Sequence, residues 1–256
     1  MKRLRRAWLP LLGALLALAA LGPVPDARGR ELLVGMDQQP PYEYVQSRVA
    51  AGPCTQVLAA VLERMGERAA PPARHPWKRG LDLLARGQLD ILYSGVRDEG
   101  LAEFVRYGTE PLVESRWVAL ARAGEAPEPF TGLDTLAGHK VGLVLDQTYS
   151  PQIDAWARAN PLVERVVSYE ILLSMLRRGR VDYVLGDALA MRHLARTQGR
   201  EREYVELSAP PLEAFGLYPL FSRARLDQDF VNRFDAALRE FKAGTRYREI
   251  LDSLPH

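Results

Sequence analysis

A twelve-residue pattern that occurs twice narrows the fold of this chain more than any other feature. Leu84-Ala85-Arg86-Gly87-Gln88-Leu89-Asp90-Ile91-Leu92-Tyr93-Ser94-Gly95 is matched by Leu176-Arg177-Arg178-Gly179-Arg180-Val181-Asp182-Tyr183-Val184-Leu185-Gly186-Asp187. Each copy reads as a helix end, a glycine supplying a left-handed cap, a turn aspartate and a short apolar run suited to a strand covered on both faces. A further strand and helix precede each copy. Before the first stand ELLVGM (residues 31–36) and a helix from about Thr55 to Met65, stopped by Gly66; before the second stand HKVGLVL (139–145) and a helix opening at Ser150-Pro151. A helix from Trp77 to Arg86 places Trp77, Leu81, Leu84 and Ala85 on one face. This alternation predicts an α/β chain of two similar lobes, each a largely parallel sheet flanked by helices.

Two extended segments join the lobes in this reading. EPLVESRWVALARAGEAPEPFTG (110–132) is a crossover ending in a Pro/Gly-rich turn, and LEAFGLYPLFSRA (212–224) is a return strand, so the connection is a two-strand hinge. Leu226 to Leu254 reads as two helices broken at Gly244 that pack back on the first lobe. The expected divisions are a signal peptide over 1–29, the first part of lobe one over 30–118, lobe two over 119–215, and a return to lobe one over 216–256.

The N-terminus carries Lys2, Arg3, Arg5 and Arg6, an apolar stretch from Leu9 to Leu21, and a small-x-small site at Ala27-Arg28-Gly29. That order predicts a cleavable secretory signal, with a membrane anchor as the competing reading, disfavoured because the apolar stretch is shorter than the roughly 20 residues a spanning helix needs. The whole chain has a formal charge of +2. Removing residues 1–29 takes away five Lys/Arg and Asp26, leaving 29 basic against 31 acidic side chains, or −2. Basic and acidic residues are interspersed in what remains, as in RFDAALREFK (233–242), so no basic stripe suits nucleic acid. Cys54 is the only cysteine. It forbids an internal disulfide, and its place on the apolar stripe with Val57, Leu58, Val61, Leu62 and Met65 predicts a buried small hydrophobe, with a reactive thiol as the alternative.

The order and spacing of VGMDQQPPYEY (34–44), PWKRGLDLLARGQLDILYSG (76–95), FVRYGTEPLVESRWVAL (104–120), LAGHKVGLVLDQTYS (136–150) and LRRGRVDYVLGDALA (176–190) resemble family 3 of the extracellular solute-binding proteins, which serve polar amino acid transporters and have the type II periplasmic binding fold. The resemblance implies a periplasmic protein that captures a small polar ligand by hinge closure; nothing in the sequence calls for more than a monomer, and no cofactor or catalytic residue is expected. The ligand would be an amino acid or related organic acid, delivered to an ABC-type permease of the inner membrane. Two alternatives stay open: a sensor presenting its closed form to a receptor, and a periplasmic dehydratase resembling cyclohexadienyl dehydratase, for which Asp37, Glu99 and Asp187 are the carboxylates at hand.

The family's ammonium-binding aspartate falls on Asp187, where ligands of open α/β sheets are expected, beyond a strand's carboxyl end. A plain helix cap is the competing reading. Trp77 matches the aromatic that stacks on the ligand, with core packing as its alternative. Tyr42 matches the aromatic at the cleft mouth, or hinge packing. Ser94 and Gly95 are expected to offer hydroxyl and backbone groups, and Gln147, Thr148 and Tyr149 a second-lobe loop that contacts ligand. Ser150 and Pro151 open a helix whose free amides suit a carboxylate.

One departure from the family stands out. Relatives that hold α-amino acids carry an arginine after the Ser-Gly pair for the α-carboxylate. Here Leu101 or Ala102 stands at that place, and Arg97 is the cation of the same loop, either a replacement clamp or a solvated surface charge. No nucleophile elbow, phosphate-binding glycine loop or metal-ligand spacing occurs in the sequence. His75, His139, His193 and His256 are scattered.

Overall fold

A computed structural model describes residues 30–126, 129–145, 147, 149–207, 212–252 and 254. In the first lobe the chain runs through β1 (Val34–Met36), the hairpin β2 (Tyr44–Gln46) and β3 (Val49–Ala51), α1 (Pro53–Arg64), β4 (Ala73–Arg74), α2 (Trp77–Ala85), β5 (Ile91–Gly95) and β6 (Val105–Tyr107). Strand β7 (Val113–Arg122) crosses to the second lobe. There follow β8 (Val141–Val144), α3 (Pro151–Ala159), β9 (Val163–Val166), α4 (Tyr169–Arg177), β10 (Tyr183–Asp187), α5 (Ala188–Thr197) and β11 (Tyr204–Leu207). Strand β12 (Glu213–Ser222) returns, and α6 (Gln228–Lys242) and α7 (Thr245–Asp252) close the chain.

Both copies of the repeat fold as the sequence predicts, and the two aspartates do one job. Gly87 and Gly179 have φ of +65° and +66°, the left-handed region in which a side chain is strained, directly after α2 and α4. Asp90 Oδ2 accepts a 2.7 Å hydrogen bond from the backbone N–H of Leu33, just ahead of β1. Asp182 Oδ2 accepts one of 3.0 Å from Lys140, just ahead of β8. Each aspartate thus pins the start of the parallel strand beside its own, β1 beside β5 and β8 beside β10.

The hinge is a continuous strand pair. Ten strands form one sheet in the order β4-β1-β5-β12-β7-β10-β8-β9, with β6 on β12 and β11 on β7. The first halves of β7 and β12 pair with each other, Ser115 opposite Phe215 and Trp117 opposite Glu213. Beyond that ladder, β7 turns its second half to β10 and β11, while β12 turns its own to β5 and β6. The register on β5 shifts between Tyr218 and Leu220, around Pro219, which has no N–H to donate to a ladder. Within the sheet, β4-β1-β5 of the first lobe and β10-β8-β9 of the second pair in parallel, and the hinge strands pair antiparallel, which is the two-lobed α/β architecture expected. The divisions drawn after residues 118 and 215 fall inside β7 and β12.

Helices cover both faces of each lobe. Buried residues of α1, α6 and the C-terminal Ile250 and Leu254 form one core with β1 and β5, whereas α2 covers the opposite face, its Leu84 in one cluster with Leu92 of β5. Ile153 and Ala157 of α3 pack on one face of the second lobe, and Leu172, Leu176 and Met191 of α4 and α5 on the other. Cys54 is fully buried in the first-lobe core as a free thiol. Ala85 departs from the expected helical stripe: it is exposed at the last turn of α2. The β2–β3 hairpin was not foreseen, because its turn uses Ser47 and Arg48 at φ of 51° and 67° where glycine or asparagine is the usual signal.

Candidate functional site

The carboxyl ends of β5 and β10 face each other across a cleft of about 340 Å³, within the range of small-molecule sites. From lobe one its walls include Asp37, Trp77, Ser94, Gly95, Asp98 and Leu101. From lobe two come Val144, Gln147, Tyr169 and Asp187, and the hinge strands supply the floor with Trp117, Phe215 and Leu217. The last position of the internal repeat, Gly95 of β5 and Asp187 of β10, therefore meets at one site, with Ser94 beside it.

Asp187 sits at that meeting point, 2% exposed. Its side chain caps α5, with Oδ1 accepting from the backbone N–H of Leu189 (2.8 Å) and Ala190 (3.1 Å). It also lines the cleft, so the helix-cap and ligand-contact readings describe one carboxylate. Ser115 Oγ on β7 donates to Oδ1 at 2.9 Å, and the Tyr42 hydroxyl lies 2.8 Å from both carboxylate oxygens. The backbone N–H of Asp187 donates to Tyr169 Oη at 3.0 Å, whose own proton goes to Gln147 Oε1 at 2.9 Å. Burial pushes the Asp187 carboxyl above the usual carboxylate range, although hydrogen bonds from Tyr42, Ala190, Ser115 and Leu189 pull the other way.

Trp77 opens α2 and stands half-buried at the cleft wall, its backbone N–H donating to Asp37 Oδ2 at 3.1 Å. Gly95 is what lets the indole lie there: a Cβ at that position would stand 2.8 Å from both Trp77 Cη2 and Leu220 Cδ1. Ser94 is buried at 2% exposure, and its Oγ has no hydrogen bond of normal geometry, although it lies near the Glu43 carboxyl. Glu43 is wholly buried behind this wall. Its Oε1 accepts from Asp37 N–H at 3.0 Å, its Oε2 is unpartnered, and burial raises its carboxyl well above the usual range.

Of the residues singled out from the sequence, Trp77, Ser94, Gly95, Gln147 and Asp187 come together at the cleft. Tyr42 does not open onto it; its ring is buried in the first-lobe core and only the hydroxyl reaches Asp187, so the hinge-packing reading describes its position. Tyr149 turns into the second-lobe core against Trp117, ring centroids 4.7 Å apart, and its hydroxyl accepts from Val144 N–H at 3.0 Å. Thr148 lies outside the described residues. Ser150 caps α3 by accepting from Ile153 N–H at 3.3 Å, and is buried. Arg97 is turned away from the cleft. Its guanidinium donates to the Gly108 carbonyl and lies 4.8 Å over the Tyr218 ring and 5.8 Å over that of Tyr107.

The sequence reading missed the floor. Trp117 and Phe215 stack with centroids 4.3 Å apart and planes 22° from parallel, one from each hinge strand. The available signal was period-two alternation, which puts Ser115 and Trp117 on one face of β7.

No family model matches the sequence, and no curated protein matches it. Among solved structures the chain is similar to a histidine kinase sensor domain with similarity to periplasmic binding proteins, at 21% identity and a TM-score of 0.70 over 89% of this chain and 98% of that one. It is similar to the GluR0 ligand-binding core in complex with L-glutamate, at 18% identity and a TM-score of 0.73 over 89% and 99%. It is also similar to the arginine-, lysine-, histidine-binding protein ArtJ from the thermophilic bacterium Geobacillus stearothermophilus, at 19% identity and 0.66 over 87% and 94%. The fold of this chain is that of the two-lobed periplasmic binding proteins.

Proposed function

We propose that the chain is a periplasmic solute-binding protein. It captures a small polar ligand, of the size of an amino acid, between its lobes and delivers it to an ABC-type permease. The observation that carries this reading is the placement of Asp187, Ser94 and Trp77 at facing strand ends over a floor made by the two hinge strands. A ligand held there touches both lobes and the hinge at once, so it binds the closed form better than the open one and shifts the population toward closure. The solved structures it resembles, named for amino acid binding or sensing, support binding without turnover; the cleft is read as having no catalytic residue, cofactor or metal. The signal-like N-terminus supports export, with lobe one over 30–118 and 216–256 and lobe two over 119–215, acting as a monomer.

A second reading is favoured by the likeness to a kinase sensor domain: the closed form is read by a membrane receptor instead of a permease. Thermal unfolding of the purified protein against amines, amino acids, dicarboxylates, polyamines and aromatic acids tests the shared part. A ligand at 100 times its Kd adds about 2.7 kcal/mol, a shift of several degrees, and small-angle scattering should show the radius of gyration fall with it. Pull-down with and without that ligand then separates permease from receptor. If no compound shifts the melting temperature, the solute-binding reading fails.

A further inference from the structure

Resting on that reading of the cleft, we infer that its ligand is an organic cation without a carboxylate, an amine or guanidine in place of an amino acid. Three carboxylates line the described walls, Asp37, Asp98 and Asp187, and no lysine, arginine or histidine does. None of the undescribed positions between 30 and 255 is one of these residues either. The one cation of the loop after β5, Arg97, is held by the Gly108 carbonyl and by the faces of Tyr107 and Tyr218.

The backbone amides at the starts of α2 and α5 do not replace the missing counter-charge. A helix N-terminus is a ready anion site only while its first N–H groups are free. At α2 the N–H of Trp77 is taken by Asp37, and at α5 those of Leu189 and Ala190 are taken by Asp187. The protein's own acids occupy these two helix starts, so a ligand carboxylate brought there would meet negative charge.

The aromatic rings of the cleft favour positive charge. Trp77, Tyr169 and the Trp117–Phe215 stack bring aromatic rings to the cleft, and a ring face attracts a cation within about 6 Å of its centroid. Ser94 Oγ, buried at the cleft wall near the Glu43 carboxyl and without a hydrogen bond of normal geometry, has a lone pair to accept an N–H from the ligand. Aromatic walls with acids between them select a cationic head on a flat or aliphatic body.

Matched pairs isolate the carboxylate: agmatine with arginine, cadaverine with lysine, tyramine with tyrosine and choline with betaine, titrated by calorimetry and by the fluorescence of Trp77 and Trp117. At least one amine should bind, at least tenfold tighter than its carboxylated partner. Asp98→Asn should weaken that amine several-fold, since it removes charge while keeping the acceptor for Gly100 N–H. Leu101→Arg, which brings a guanidinium to the cleft wall, should narrow the gap within the pair. If an amino acid or dicarboxylate binds as tightly as the matched amine, the cation inference falls while solute binding stands. If no amine, amino acid or acid binds, both fall.

Discussion

Replacing Tyr42 by phenylalanine tests the tie between the first-lobe core and Asp187. The ring is wholly buried and phenylalanine keeps its packing, so the change removes one hydroxyl and opens no cavity. That hydroxyl donates to a carboxylate at 2.8 Å, and a hydrogen bond to a charged group contributes about 1.5–3 kcal/mol. Asp187 retains Ser115 Oγ and the two backbone N–H groups of α5, so no buried donor is orphaned and the loss should stay in that range. For a chain of this size it corresponds to a fall in Tm of roughly 3–12 °C. The sign of its pH dependence follows from Asp187. Tyr42 stabilises the ionised carboxylate, and burial already holds that carboxyl above its usual range. The variant can therefore escape part of the loss by taking up a proton, and the destabilisation should be larger at pH 8 than at pH 5. Urea midpoints of wild type, Tyr42→Phe, Asp187→Asn and the double variant measure the coupling. A cost below about 0.5 kcal/mol at pH 8, or the same cost in the Asp187→Asn background, would refute the argument.

On the cation reading, binding of an amine should weaken as pH is lowered through the raised pKa of Asp187, because the amine pairs with the carboxylate and not the acid; Asp187→Asn should flatten that profile in calorimetric titrations. Glu43, also raised by burial, stabilises the fold in its protonated form, so stability should decline as pH rises through its folded pKa. Glu43→Gln should make that decline shallower in urea melts at pH 5 and pH 8, and an unchanged slope would remove Glu43 as its source. Gly95→Ala forces a Cβ to 2.8 Å from the Trp77 indole and from Leu220, so it should cost about 1–3 kcal/mol of stability by overpacking and lower ligand affinity tenfold or more. Affinity equal to wild type by calorimetry would show that the position of the indole does not matter.

Much of the fold was legible because the repeat carries its own chemistry. A glycine that must adopt positive φ and an aspartate that must find backbone donors leave few other arrangements for Gly87, Asp90, Gly179 and Asp182. The short edge strands left no such mark. β4 has two residues, β6 three, and β9 and β11 four each, and their pairing is set by neighbours distant in sequence. The β2–β3 turn at Ser47 and Arg48 is stabilised in a conformation that its residue types do not announce.

The site was legible where local geometry decides it and opaque where a distant partner does. Asp187, Ser94 and Gly95 end strands, so their place follows from topology alone. Arg97 shows the opposite case. Its residue type says that a cation stands beside the cleft, but its direction is set by Tyr107 on β6, Tyr218 on β12 and the Gly108 carbonyl, which compete with any ligand for the guanidinium. A charge count of the loop therefore overstates how well the cleft holds an anion. Phe215 makes the same point from the floor, since its stacking on Trp117 depends on a register that joins residues about a hundred positions apart. On the cation reading, the charge of the ligand depends on β6 and β12 as well as on the cleft acids, through two tyrosines that engage Arg97 outside the cleft wall.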